Sequence, residues 1–127
     1  MTSSCQESDP VGSVVGLHVL TDFAGGHIYI TENPTPEIIV KTIRDLDWVN
    51  GFHQVIITSS PGVSMEVGGS LRSEDGLSSV YRDTNNRIYR VTKVPPSTVE
   101  QMEKILLSFH AGNNKWEKMY EYELLPY

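Results

Sequence analysis

Apolar positions along this chain recur first with a strand-like period of two, then with a helical period, and the changeovers mark its elements. Val14–Leu20 and His27–Thr31 are short β-prone runs separated by Asp22-Phe23-Ala24-Gly25-Gly26, which predicts a hairpin around a glycine-rich turn. Asn33-Pro34-Thr35-Pro36-Glu37 then opens a helix. Thr35 can cap it, Pro36 suits the first helical position, and Glu37 suits the positive end of the dipole. Ile39, Ile43 and Leu46 recur at helical spacing, so this helix is expected over Pro36–Leu46, with Asn50-Gly51 as its stop.

The middle of the chain reads as strands. Gln54–Thr58 is compact and mostly apolar, and Ser59-Ser60-Pro61-Gly62 is expected to turn the chain. Val63, Met65 and Val67 alternate with Ser64, Glu66 and Gly68, which makes a half-buried strand with Glu66 on its outer, solvated face. A charged loop over Gly68–Gly76 leads to two further strands, Leu77–Arg82 and Arg87–Lys93. They are joined by Thr84-Asn85-Asn86, where asparagine tolerates left-handed backbone. Pro95-Pro96 ends the sheet. Ser97-Thr98-Val99-Glu100 fits a capping box with Ser97 as cap, and Val99, Met102, Leu106 and Phe109, with Ile105 beside them, mark one helical face as far as Gly112. From Trp116 to Leu124, Tyr120, Tyr122 and Leu124 alternate with Glu121 and Glu123, which favours a terminal strand; Trp116, Met119, Tyr120 and Glu123 would also suit a helical turn.

The order β-β-α-β-β-β-β-α-β predicts an α+β fold: a mostly antiparallel or mixed sheet of six to seven strands with two helices on one face. Residues 1–12 offer almost nothing to bury and read as a disordered leader, which leaves 13–127 as a single domain. At 127 residues with 39% hydrophobic and 20% charged side chains, the composition is that of one globular domain.

Charge narrows the function classes. The net charge of −6 speaks against a general nucleic-acid binder or a protein of anionic membrane surfaces. Residues 1–50 hold two basic and seven acidic side chains, whereas Arg72, Arg82, Arg87, Arg90 and Lys93 gather positive charge in the middle. No apolar run has the roughly 18–20 residues of a membrane span, and no signal sequence is legible, so a cytoplasmic location is expected. The lone Cys5 excludes an intramolecular disulfide.

The residues that could carry chemistry are few. His18, His27, His53 and His110 form no metal-binding motif, the serines lie in no nucleophile motif, and the glycine pairs match no phosphate loop, so no catalytic residue, metal or cofactor is assigned. Glu66 is the carboxylate of most interest, with Asp75 or Glu74 as conceivable partners. Trp116, Tyr120 and Tyr122 interleave with Glu117, Glu121 and Glu123, either as an edge strand with its aromatics in the core or as an acidic, aromatic patch for a basic partner.

The stretch PPSTVEQMEKILLSFHAGNNKW, Pro95–Trp116, resembles the C-terminal signature of a bacterial polymorphic-toxin immunity protein family, whose helix–Phe–turn–Trp–Glu pattern falls here on Glu100, Phe109, Gly112, Trp116 and Glu117. The resemblance implies a small acidic α+β protein that binds a cognate enzymatic toxin domain and blocks its active site. Partner-binding residues are then expected among Glu66, Asp75, Trp116, Glu117, Tyr120, Glu121, Tyr122 and Glu123. Two alternatives stand beside it: a small hydrolase or transferase using Glu66 or a histidine, and a peptide-binding adaptor domain that uses an exposed strand, such as Trp116–Leu124.

Overall fold

The computed structural model describes residues 10–21 and 26–126. In chain order they form α1 (Pro10–Ser13), β1 (Gly16–Thr21), β2 (Gly26–Thr31), α2 (Pro36–Arg44), β3 (His53–Ser60), β4 (Val63–Gly69), β5 (Leu77–Asp83), β6 (Ile88–Thr92), α3 (Val99–Ala111), α4 (Trp116–Met119) and β7 (Tyr122–Leu124). The strands make one antiparallel sheet in the order β2-β1-β3-β4-β5-β6-β7. The fold is therefore α+β, as the element pattern predicts. Among the described residues no helix is long and apolar enough to cross a membrane.

The long helices occupy the β2–β3 and β6–β7 connections and share one face of the sheet. Leu17 and Val19 of β1, Val55 and Ile57 of β3, and Met65 and Val67 of β4 are buried there against Ile39 and Ile43 of α2 and Met102, Ile105, Leu106 and Phe109 of α3. Thr35 caps α2 by accepting the Ile38 N–H at 3.2 Å. The buried Glu103 accepts two bonds from the Arg44 guanidinium, at 2.9 and 3.3 Å, and so ties α3 to α2.

The opposite face is covered more tightly than period-two alternation suggests. Strand register lines up Tyr29, His18, Ile56, Glu66, Val80 and Val91 across it. His18, Ile56, Glu66 and Val80 in this row are buried, as are Thr58 and Ser64 beside it.

Four expectations need correction. Ser59 and Ser60 belong to β3, and the turn is Pro61-Gly62 alone, with Gly62 at φ 90°. Of the expected leader, residues 1–9 lie outside the described residues, but Pro10–Ser13 is a helical turn. It is held where the Gly62 N–H donates to the Gly12 carbonyl at 2.8 Å. In the β5–β6 turn the left-handed residue is Arg87, at φ 58°, while Asp83 accepts from the Asn86 backbone and side chain. The cap of α3 is Thr98, which accepts the Gln101 N–H at 3.1 Å. Gln101 Oε1 in turn accepts the N–H of Ser97, the residue before the cap, so the cap lies one residue later than expected and the return bond reaches one residue further back than in a capping box. The glycine-rich turn expected at 22–26 falls largely outside the described residues, although β1 and β2 pair as a hairpin requires.

Candidate functional site

Glu66 is the one predicted carboxylate that the fold places at the centre of a built polar cluster. It lies on β4, on the face away from the helices, as period-two alternation requires. It is not solvated there: only 8% of the residue is exposed. Its neighbours in register are Ile56 and Val80, so a bare carboxylate would be costly. Both of its oxygens are engaged. Oε2 accepts from Gln54 Nε2 on β3 at 2.8 Å, and Oε1 accepts from Arg82 Nη1 on β5 at 3.0 Å. The Arg82 guanidinium also lies over the Tyr89 ring, 5.1 Å from its centroid. Burial alone would push the Arg82 guanidinium down, but the Glu66 charge and hydrogen bond more than offset this and hold it above its ordinary range. Chemically, the cluster is a satisfied ion pair between strands.

Asp75 and Glu74 do not join Glu66. Asp75 Oδ2 accepts from Ser70 Oγ at 2.7 Å and from Arg72 Nη2 at 3.1 Å, which closes the loop after β4 on itself.

The C-terminal segment is divided by its own chemistry. Trp116–Met119 is a helical turn and only Tyr122–Leu124 is a strand, so the expected strand over Trp116–Leu124 is corrected. Trp116 is 4% exposed. Its ring packs against Tyr81, Phe109 and Tyr122, and its backbone N–H donates to Ser108 Oγ at 2.9 Å. Such a buried indole supports the surface from within and is not itself available to a partner. Tyr120 and Tyr122 are half-buried against the same cluster; burial pushes both phenols up, only partly opposed at Tyr122 by its hydrogen bond with Ser79. Glu117 pairs with Arg90 at 3.1 Å and Glu121 with Lys93 at 3.0 Å, whereas Glu123 is exposed without an ion pair among the described residues. The aromatic and acidic halves of the predicted patch therefore separate, one into the core and one onto the surface.

Among the histidines, His18 and His27 meet across the β1–β2 pair. The Val14 carbonyl can only accept, so His18 Nε2 donates to it at 2.7 Å; in the neutral ring Nδ1 then accepts from His27 Nε2 at 3.0 Å. No group of three or more metal-ligating side chains occurs among the described residues.

The sequence does not single out Gln54 or Glu103, and marks Arg82 only as one of the central positive charges. For Gln54 and Arg82 the available signal was hairpin register: both lie on the same face as Glu66 once β3 and β5 are paired with β4. Glu103 sits on what reads as the edge of a helical apolar face, and its partner, Arg44, is 59 residues away. This chain matches no family model, no curated protein and no solved structure.

Proposed function

We propose that this protein is an immunity protein that binds a cognate bacterial toxin domain and neutralises it by occluding its active site. The reading rests on the Pro95–Trp116 resemblance, and one structural observation carries it further: the way charge is spent. Six of the ten lysines and arginines, namely Lys41, Arg44, Arg72, Arg82, Arg90 and Lys93, are paired with the chain's own carboxylates. Glu32, Glu37, Glu74, Glu100 and Glu123 are exposed and have no ion pair among the described residues. These exposed, unpaired carboxylates present negative charge outward, which suits a basic enzymatic groove and speeds encounter with it. Glu123 is the member of the predicted patch best free to act in this way.

Strand addition at a sheet edge, the manner of binding of a peptide adaptor, is favoured by the uncharged β2 edge and is compatible with the inhibitor reading. A hydrolase or transferase would have to use a histidine, or Glu66 from within its contacts to Gln54 and Arg82.

The test is co-expression with the proteins encoded beside this chain. Co-purification at fixed stoichiometry with rescue of growth is expected, with an association rate that falls as salt rises. A neighbour that is neither bound nor neutralised would overturn the reading.

A further inference from the structure

The two edges of the sheet are built differently. β7 is three residues long, carries Glu123, follows Glu121 and runs into Pro126, so charge, shortness and proline all discourage pairing. β2 has six residues, Gly26–Thr31, with no charged residue and no proline. Among the described residues it pairs only with β1, with a register shift at Ile30, so the regular run of outward N–H and C=O groups is Gly26–Tyr29. Its apolar side chains are not tucked away either. Ile28 is 52% exposed, Tyr29 46% and Ile30 38%, three consecutive residues divided between the two faces. An edge this long and this bare invites a further strand.

A cavity opens where β2 ends. It holds about 290 Å³, at the lower limit for a ligand pocket and better matched to one long side chain than to a cofactor. Val15, Pro34 and Ile57 form its apolar wall, and Glu32, Asn33 and His110 supply its polar groups. The Glu32 carboxylate has no ion pair among the described residues.

We infer that the free edge of β2 seats an extended strand of a partner protein, and that a lysine or arginine of that strand pairs with Glu32, the exposed carboxylate of the cavity lining. Antiparallel addition puts the N-terminal end of the incoming strand next to Glu32, so the basic residue comes first and β-branched residues follow along Gly26–Tyr29. A second copy of this chain fits less well: it has no lysine or arginine before Lys41, and His27, at the end of β2 that would meet Glu32, is held by His18. The inference rests on reading the chain as a binding protein and names the surface by which it binds.

The probe is a pair of capped heptapeptides, acetyl-Arg-Thr-Val-Thr-Val-Thr-Val-amide and the same sequence beginning with Glu, titrated to about 1 mM into the full ¹⁵N-labelled chain. Amide signals of residues 26–32 are expected to move, with the arginine peptide binding about tenfold more tightly than the glutamate peptide. Glu32→Gln should abolish that preference. Ile28→Lys, at an exposed position that leaves the core intact, should abolish binding. Three results would overturn the inference: no movement in β2, movement centred elsewhere, or equal affinity for the two peptides. Movement of β2 signals with protein concentration alone would replace the partner strand by a second copy. Growth rescue is scored separately. A chain that rescues while β2 stays still keeps the toxin reading and loses this one; peptide binding without rescue does the reverse.

Discussion

The Glu66–Arg82 pair permits a sharp energetic test, because each side chain can be removed with or without the other. Arg82→Met keeps an apolar stem but removes the guanidinium from over Tyr89 and from Glu66, a residue only 8% exposed, and leaves that carboxylate with the Gln54 amide as its side-chain donor. Breaking a fully buried pair costs about 3–5 kcal/mol, since the remaining charge loses its compensation. The Arg82 side chain is 36% exposed, so water can enter the vacated space and the cost is discounted to about 2 kcal/mol. For 127 residues, that lowers the melting temperature by roughly 7 °C. In Glu66→Leu/Arg82→Met the leucine lies between Ile56 and Val80, the buried charge is gone, and stability should return to within about 1 kcal/mol of wild type. Urea unfolding of the three proteins, with an unchanged dependence on denaturant, measures both steps. The reasoning fails if Arg82→Met costs less than about 0.5 kcal/mol, the value of a surface pair. It fails equally if the double variant is no more stable than the single one.

Further predictions follow from the packing and the caps. Trp116→Ala should cost about 3–5 kcal/mol and erase near-ultraviolet dichroism from the Tyr81–Phe109–Trp116–Tyr122 cluster; a loss below about 1 kcal/mol would place the indole outside the core. Thr98→Ala should cost about 1 kcal/mol in thermal unfolding while Ser97→Ala, whose hydroxyl caps nothing in α3, costs much less; the reverse order would restore Ser97 as the cap. Burial first of all raises the phenols of Tyr81, Tyr120 and Tyr122, so the unfolded chain releases these protons before the folded one does. Stability is then retained below about pH 10 and falls as pH rises beyond it. Absorbance titration at alkaline pH should show a late-ionising group that shrinks in Tyr122→Phe, and a single early wave would contradict this.

What is local in this fold could be read from the chain. The Thr35-Pro36-Glu37 entrance, the face Met102–Ile105–Leu106–Phe109 and the alternation of Met65 and Val67 depend on neighbours within one or two turns, and each appears where the pattern puts it. Ambiguity began where two local solutions had equal chemistry. Ser97 and Thr98 can both cap a helix, with Glu100 or Gln101 at the matching distance, and Trp116–Tyr120 fits either period. Trp116 decided the second case, because a helical turn brings its ring against Tyr81 and Phe109 and its backbone N–H to Ser108 Oγ. The candidate site was half legible. Alternation put Glu66 on the face away from the helices, but what covers that face depends on the strands laid beside β4. Gln54 and Arg82 arrive from either side only once the sheet is assembled. Which strand remains an edge is likewise decided by the whole order β2-β1-β3-β4-β5-β6-β7. The elements and their buried stripes follow from backbone period, and the acidic balance from composition, so all three are legible in the chain alone. Tertiary structure alone decided which charges cancel, which aromatics are hidden and which edge stands open, because those outcomes depend on contacts between residues far apart in the chain.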